Sequence, residues 1–558
     1  MMNTAQTTAR TPVRTVARTI ARIIVWAGVV GTAACMTACE TYQAPSSQLP
    51  GSAVDGVVEP AAEAHVDDIV WFEGSVDEAF AKARSEDRPV YFYWGAVWCP
   101  PCQEIKNTVF KSQQFIALSQ LFIPVYLDGD TDRAQTWGET FGVKGYPTMI
   151  VFNPAGEEIT RIPGGIDISR YNSVLALSLE HLRPTSMLVE LATDSPDELI
   201  PSDYQQLAYY SWGQDDGALP DDASPDLFQT LAARVRASDP EASARLHLQG
   251  LVLLAESSEG DSTTLESLAA PDQLRAILDS PELVLACWDY LAYWPEEISG
   301  VLGVEGDEKD ALTDKWSDVV LGARHHKALS TAEQLGGWFP YLTFYQASDE
   351  DKALPDDIIA GIRADGRKAS EQTRNAYARQ SVVSMISYLY RSAKLTEDAR
   401  QLLLAELDRS AAPYYFMSGL ASLAEEEEKA TESLEWRRQA YEASQGKATR
   451  FQWGVGYVSA LVRLQPENHG KIEINALAIL DDLEAAGEPF VGRNLSRLKR
   501  LNGTLRAWDE EQGELENASS YLQDFDARLD ELCSDQVAGS TGETHCTALL
   551  AEEEASGS

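Results

Sequence analysis

The sequence predicts an α/β domain over residues 67–184 followed by an all-α region, and three observations carry that division. Short β-rich runs, among them Val90–Trp94 and Met149–Phe152, alternate with helical patterns in the first part. A Cys-x-x-Cys pair, Cys99 and Cys102, falls where one such run gives way to a helix. After residue 185 the strand signals stop. Helical stretches of roughly 10–18 residues then follow one another, among them Pro240–Glu256, Pro281–Tyr293, Ala376–Ser392 and Ala430–Ala443, broken by Pro, Gly or Asp-Ser pairs.

The N-terminus reads as an address. Arg10, Arg14, Arg18 and Arg22 form a basic region free of acids, and an apolar run from Ile23 to Ala34 follows. At ~12 residues the run has the length of a signal-peptide core and is short for a bilayer span. It leads into Met36-Thr37-Ala38-Cys39, which resembles a bacterial lipobox with methionine where leucine is usual. The resemblance implies cleavage after residue 38 and lipidation of Cys39. An ordinary cleaved signal near Ala38 is the alternative. Both export the mature chain to a compartment where disulfides persist: in the first case to the bacterial cell envelope, periplasmic side, lipid-anchored through Cys39, in the second as a soluble periplasmic or secreted protein. Residues 39–66, rich in Pro, Ser, Gly and Ala and without periodicity, read as a flexible tether. As a coil, ~27 residues span roughly 30 Å.

Composition bounds the rest. The chain has 558 residues, room for three or four domains at ~150 residues each. With 44% apolar residues it has material for real cores. It carries 87 Asp and Glu against 45 Lys and Arg, a net charge of −42. Such a surface repels phosphates, so nucleic acid is not an expected partner. Seven cysteines are too few for a scaffold built on disulfides.

Within the α/β part, Ser75-Val76-Asp77-Glu78 matches a capping box, with Val76, Ala79, Phe80 and Ala83 at helical spacing behind it. Val90–Trp94 is the first strand, Gln103–Phe110 a helix, and Phe122–Leu127 the second strand. A helix near Arg133–Phe141 precedes Gly145-Tyr146-Pro147-Thr148 and the third strand. The turn Asn153-Pro154-Ala155-Gly156 opens a hairpin into Glu158–Ile162. A closing helix spans about Asp167–Leu182.

Trp98-Cys99-Pro100-Pro101-Cys102 after a strand, with Tyr146-Pro147-Thr148 entering a later strand about 45 residues on, resembles the thioredoxin-fold family, close to its exported thiol:disulfide interchange domains. The resemblance implies a thioredoxin fold at residues 67–184 and thiol–disulfide exchange without a cofactor. A helix N-terminus lowers a cysteine pKa, so Cys99 is the expected exposed nucleophile and Cys102 the resolving thiol. The resemblance places Pro147 in a cis peptide bond, Tyr146 and Thr148 beside an extended substrate, and Trp98 as a shield over the sulfurs. Pro100 and Pro101 lack N–H groups, which points to a moderately lowered Cys99 pKa and a middling potential. The family's buried acid, six residues before the first cysteine, is Tyr93 here, and Gly95 stands where an aromatic is common. A zinc site or an inert structural disulfide are the bland readings of the pair. Zinc needs further ligands and the next cysteine is Cys287, so no metal is expected.

The all-α region, residues 185–530, is expected to stack helical hairpins in solenoid fashion, divided into two halves near Gly366. Ala430–Leu464 loosely resembles a tetratricopeptide-type hairpin through Trp436, Ala440 and Tyr441 on one helix and Tyr457, Ala460 and Leu461 on the next. The clusters Trp288, Tyr290, Tyr293, Trp294 and Tyr414, Tyr415, Phe416 are expected to be core, with a peptide groove as the sharper alternative. His325-His326 lacks the spacing of a helical metal pair. Residues 531–558 read as a tail in which Cys533 and Cys546 can close a structural disulfide, and Cys287 as a buried free thiol.

The expected function is therefore an exported, lipid-anchored thiol–disulfide oxidoreductase. Its partners are protein thiol or disulfide substrates, an upstream thiol donor, and a membrane held through Cys39. The alternative is an envelope scaffold whose helical array binds partners, with the redox module subordinate.

Overall fold

The computed structural model describes residues 68–556 except 181–182, 216, 220–224, 257–269, 348, 350–351 and 517–519. The basic and apolar N-terminal stretch, Cys39 and the whole tether lie outside the described residues. Among the described residues no helix is long and apolar enough to cross a membrane.

The α/β domain follows the expected order with one further helix, Gln113–Leu118, before the second strand. Helix α1 (Val76–Glu86) begins at the reciprocal Ser75–Glu78 capping box. Strands β1 (Val90–Gly95), β2 (Ile123–Asp128), β3 (Thr148–Phe152) and β4 (Glu158–Arg161) form one sheet in the order β2-β1-β3-β4. Strand β1 pairs parallel with β2 and antiparallel with β3, while β3 and β4 form the antiparallel hairpin. Helices α2 (Pro100–Asn107), α3 (Gln113–Leu118), α4 (Asp132–Thr140) and α5 (Ile168–Glu180) complete it.

The alternation along β1 explains its unbroken apolar run. Val90, Phe92 and Trp94 face a core shared with α1 residues Val76, Ala79, Phe80 and Ala83. Tyr91 and Tyr93 point to the opposite core, with Ile105, Val109, Phe110 and Phe115. Every residue of the strand is buried because both sheet faces are covered.

That second core does not stop at the domain boundary. It runs through Leu188, Tyr204, Leu207, Trp212, Phe228 and Leu246 and reaches Ala412, Tyr414 and Ala440. Ser211 N–H donates to Arg161 O, tying the first helical turns to β4. The helical region is thus packed onto the α/β domain rather than strung behind it.

Several helices coincide with expectation, including Pro240–Glu256, Ala376–Ser392 and Ala430–Ala443. Four expectations need correction. The stretch Pro281–Tyr293 is two helices, Pro281–Ala286 and Trp288–Tyr293, parted at Cys287. Gly366 marks no break. It lies inside the helix Asp356–Gln372, where a Cβ would collide with the Tyr390 hydroxyl, so glycine there serves close helix approach. Apolar cores divide the region into three clusters instead of two halves, spanning residues 244–329, 332–423 and 434–549. Residues 531–556 are no tail. Helices Gln523–Ser534 and Thr541–Ser556 bury Leu529, Leu532, Cys546 and Leu549 against Leu498 and Leu501.

Cys533 and Cys546 are joined as a disulfide, with Cα atoms 5.7 Å apart. Cys287 is free and fully buried, and burial pushes its thiol up to about 12, which leaves it inert. Trp288, Tyr290, Trp294, Tyr414 and Phe416 are buried, and Tyr293 and Tyr415 pack half-buried against the same cores, so these aromatics are core. In the 430–464 hairpin Tyr441 stacks on Tyr457 at 6.3 Å.

Candidate functional site

Strand β1 ends at Gly95, and four residues later Cys99 becomes the N-cap of α2. Pro100 and Pro101 occupy the first helical positions, where a missing N–H costs no hydrogen bond. The first amide able to reach the Cys99 sulfur is that of Cys102, and its N–H donates to Sγ at 3.3 Å. The two cysteines are bonded, with Cα atoms 5.2 Å apart.

The Tyr146–Pro147 bond is cis, as the family resemblance implies. It brings the Tyr146 carbonyl oxygen to 3.4 Å from Cys99 Sγ, where it can accept from the thiol of the reduced state. Thr148 starts β3 opposite Trp94, and its hydroxyl donates to Gly145 O at 2.8 Å. The expected constellation of Trp98, Cys99, Cys102, Tyr146, Pro147 and Thr148 is therefore assembled in one place.

No carboxylate replaces the buried acid at position 93. The Tyr93 hydroxyl donates to Cys102 O at 3.2 Å, and burial holds its pKa well above the usual phenol range. Lys106, one turn beyond Cys102, lies over the Tyr126 ring at 4.4 Å and donates to its hydroxyl. Burial lowers the Lys106 pKa. The place of the acid is thus taken by a buried phenol bonded to the Cys102 carbonyl, with a partly desolvated amine one turn along the helix.

One expectation fails. Cys99 is 2% exposed, where the sequence pointed to an exposed nucleophile. The helical region covers it. Helix Ala376–Ser392 packs on α2, and Gln380 donates from its side chain to Trp98 O. Trp98 Nε1 donates to Thr449 Oγ1 at 2.6 Å, and the Trp98 ring meets Trp453 edge-on at 6.4 Å. Trp453 in turn packs against Tyr414 and Tyr415. The Arg493 guanidinium lies 4.9 Å from the Tyr146 ring and 5.7 Å from that of Trp98. Gln214 donates to Pro147 O at 3.3 Å, occupying one carbonyl of the cis-proline loop. The physical reason is apolar area: an uncovered Trp98 ring would leave roughly 1.5–3 kcal/mol of burial unused.

Gln214, Gln380, Thr449, Trp453 and Arg493 escaped sequence reading. They sit in ordinary helical or turn contexts, and Gln380 and Thr449 are 282 and 351 residues from Trp98. No local pattern signals such a pairing. Arg493 and Arg497 line this wall, and burial beside Arg493 and Arg500 brings the Arg497 pKa down to about 9. Among the described residues no group of three or more His, Cys, Asp or Glu is arranged to hold a metal ion, and His325 instead lies 3.7 Å from Asp365.

Comparison with known proteins agrees with this geometry. A family model described as a thioredoxin-like domain matches residues 76–178. Nucleoredoxin of Bos taurus is 27% identical over 265 residues, covering 43% of this chain and 57% of its own length. Thioredoxin H4 of Arabidopsis thaliana is 31% identical over 83 residues, covering 15% of this chain and 66% of its own. The chain thus spans just over half of one of these curated relatives and about two thirds of the other. With a dithiol capping a helix, a cis-proline loop against it and a matching family model, residues 76–178 form a thioredoxin-like domain, followed in this chain by a large all-helical region.

Proposed function

We propose that the protein is an exported, lipid-anchored thiol–disulfide oxidoreductase acting on protein disulfides. The observation that carries the reading is the contact of Cys99 Sγ with the carbonyl oxygen of the cis-proline loop, at the N-cap of α2. In the dithiol state the Cys99 thiolate attacks a substrate disulfide and forms a mixed disulfide, releasing one substrate thiolate. Cys102 then attacks Cys99 Sγ, frees the second substrate thiol and leaves the Cys99–Cys102 disulfide. An upstream dithiol donor returns the two electrons.

The test is a trap. Reduced Cys102→Ser is expected to accumulate a mixed disulfide on Cys99 with a small disulfide such as oxidised glutathione, while the wild-type chain turns over and Cys99→Ser does neither. Absence of any Cys99 adduct in Cys102→Ser, both alone and combined with Thr449→Val, ends the reading.

The basic stretch, the apolar run and the Met36–Cys39 motif support export and anchoring. The Cys533–Cys546 disulfide fits an oxidising compartment. Cys39→Ala is expected to move the protein from the membrane fraction to the soluble fraction of its native host. An unchanged membrane fraction removes the lipid anchor from the proposal.

A scaffold whose helical array binds partners is the second reading. The near-complete burial of Cys99 favours it, and an inert dithiol in the trapping experiment would select it.

A further inference from the structure

The wall over the dithiol is built from both sides. Gly446 precedes the helix Lys447–Leu464, which has no capping side chain of its own. Asp130 of the α/β domain takes that place, accepting from Thr449 N–H at 2.7 Å and from Thr449 Oγ1 at 2.9 Å. Thr449 Oγ1 at the same time accepts from Trp98 Nε1. A hydrogen-bonded line therefore runs from the indole beside Cys99 to a carboxylate on the loop after β2.

The second joint repeats the design. At the start of helix Gly492–Glu516, Gly492 N–H donates to Glu139 Oε2 at 2.7 Å. Arg493 N–H and Asn494 N–H both reach Gln135 Oε1, at 3.1 and 3.3 Å. Gln135 is itself held by donating to Gly129 O at 2.6 Å. Two helices of the helical region thus have their orphan N–H groups satisfied by side chains of the thioredoxin-like domain.

Glycine placement shows the fit to be specific. Gly446, Gly487 and Gly492 all have positive φ (95°, 95° and 58°). A Cβ at Gly446 would collide with Asp130, one at Gly487 with Asp132, and one at Gly492 would come within 2.6 Å of Gln135 O. Three turns of the helical region are shaped around one segment, residues 129–139, of the redox domain. The last collision is with backbone, which no rotamer change relieves.

We infer that the helical region is an intramolecular cover of the dithiol, latched by Asp130–Thr449–Trp98 and by Gln135 and Glu139 on the Gly492 helix, and that a protein disulfide reaches Cys99 only when this latch opens. The inference rests on the proposed function for its purpose. Its observable, shielding of one thiol, does not depend on turnover.

The experiment measures alkylation of Cys99 by N-ethylmaleimide in the reduced full-length chain, mapped by mass spectrometry and divided by the rate in the denatured chain at the same pH. Wild type is expected to be shielded by at least tenfold. Gly492→Ala and Thr449→Val are expected to raise the native rate at least tenfold and to raise insulin reduction in parallel. Thr449→Ser, which keeps both hydrogen bonds, is expected to stay shielded. Circular dichroism and the melting curve report whether each variant is folded, and Thr449→Val supplies the milder opening should Gly492→Ala unfold. A wild-type Cys99 that alkylates within threefold of the denatured chain overturns the cover. So do folded Gly492→Ala and Thr449→Val chains that react no faster than wild type. A thiol that is shielded and then released in the variants, yet reduces neither insulin nor oxidised glutathione, keeps the cover and overturns the oxidoreductase.

Discussion

Asp289→Ala is expected to destabilise the protein by about 3–5 kcal/mol, because it strands a buried cation. Arg245 is fully buried and pairs bidentately with Asp289, at 2.7 and 2.9 Å. It also donates to Ala286 O at 2.8 Å and to Ala208 O at 3.1 Å, and sits between the rings of Tyr209 and Tyr290. Its helix, Pro240–Glu256, serves two cores. Ala242 and Leu246 face the core continuous with the α/β domain, while Ala244, Leu248 and Leu251 face the next cluster. A charge left unpaired there weakens both. The double replacement Arg245→Met with Asp289→Leu removes the pair together and is expected to cost far less. Urea melts followed by circular dichroism decide the matter. A single variant within 1 kcal/mol of wild type would contradict the account.

The second large effect is on pH dependence. Glu333 is 1% exposed, in the capping box of helix Thr331–Gly336, with Ser330 N–H donating to its carboxyl at 2.7 Å. Burial pushes its pKa up to about 8, the Ser330 hydrogen bonds pull it down, and Asp167 and Glu104 of the thioredoxin-like domain add like charge. The folded state therefore keeps a proton that the unfolded chain, with its ordinary value of 4.5, releases. This group's contribution is fully present below pH 4.5. It is lost at about 1.4 kcal/mol per pH unit as pH rises toward 8, to an upper bound of roughly 5 kcal/mol. Glu333→Gln keeps an acceptor for Ser330 N–H and cannot ionise. It is expected to melt higher than wild type at pH 8 and to flatten the stability slope between pH 5 and 8. Equal slopes for the two chains would remove Glu333 as the source.

The redox half of the molecule was legible because its signals are local. The Val90–Trp94 run, the Ser75–Glu78 box and the Cys-Pro-Pro-Cys junction each act within one turn or strand. The cis bond at Pro147 was implied by the family resemblance of Tyr146-Pro147-Thr148 and not by proline alone, since most X-Pro bonds are trans. The helix Ala376–Ser392 is opened by a local device, Asn375 accepting from the Tyr377 and Ala378 amides. Where a local pattern has two readings, the sequence misled. Gly366 looked like a breaker, and in the structure it is the contact point for Tyr390. Residues 531–558 looked like an acidic tail because their apolar residues find partners only in helices far upstream, at Leu498 and Leu501.

By itself the sequence determined the first strand, the Ser75–Glu78 cap and a dithiol at a strand-to-helix junction, since nearest-neighbour sterics and short-range hydrogen bonds decide these, while the cis-proline loop was implied by the family resemblance. Only the tertiary structure decided that Cys99 is covered, that Thr449 and Gln380 hold Trp98, and that three glycines beyond residue 440 receive the 129–139 segment. These contacts join residues hundreds of positions apart. They are selected by apolar area and by unsatisfied helix ends seeking partners, quantities that exist only once the chain has packed.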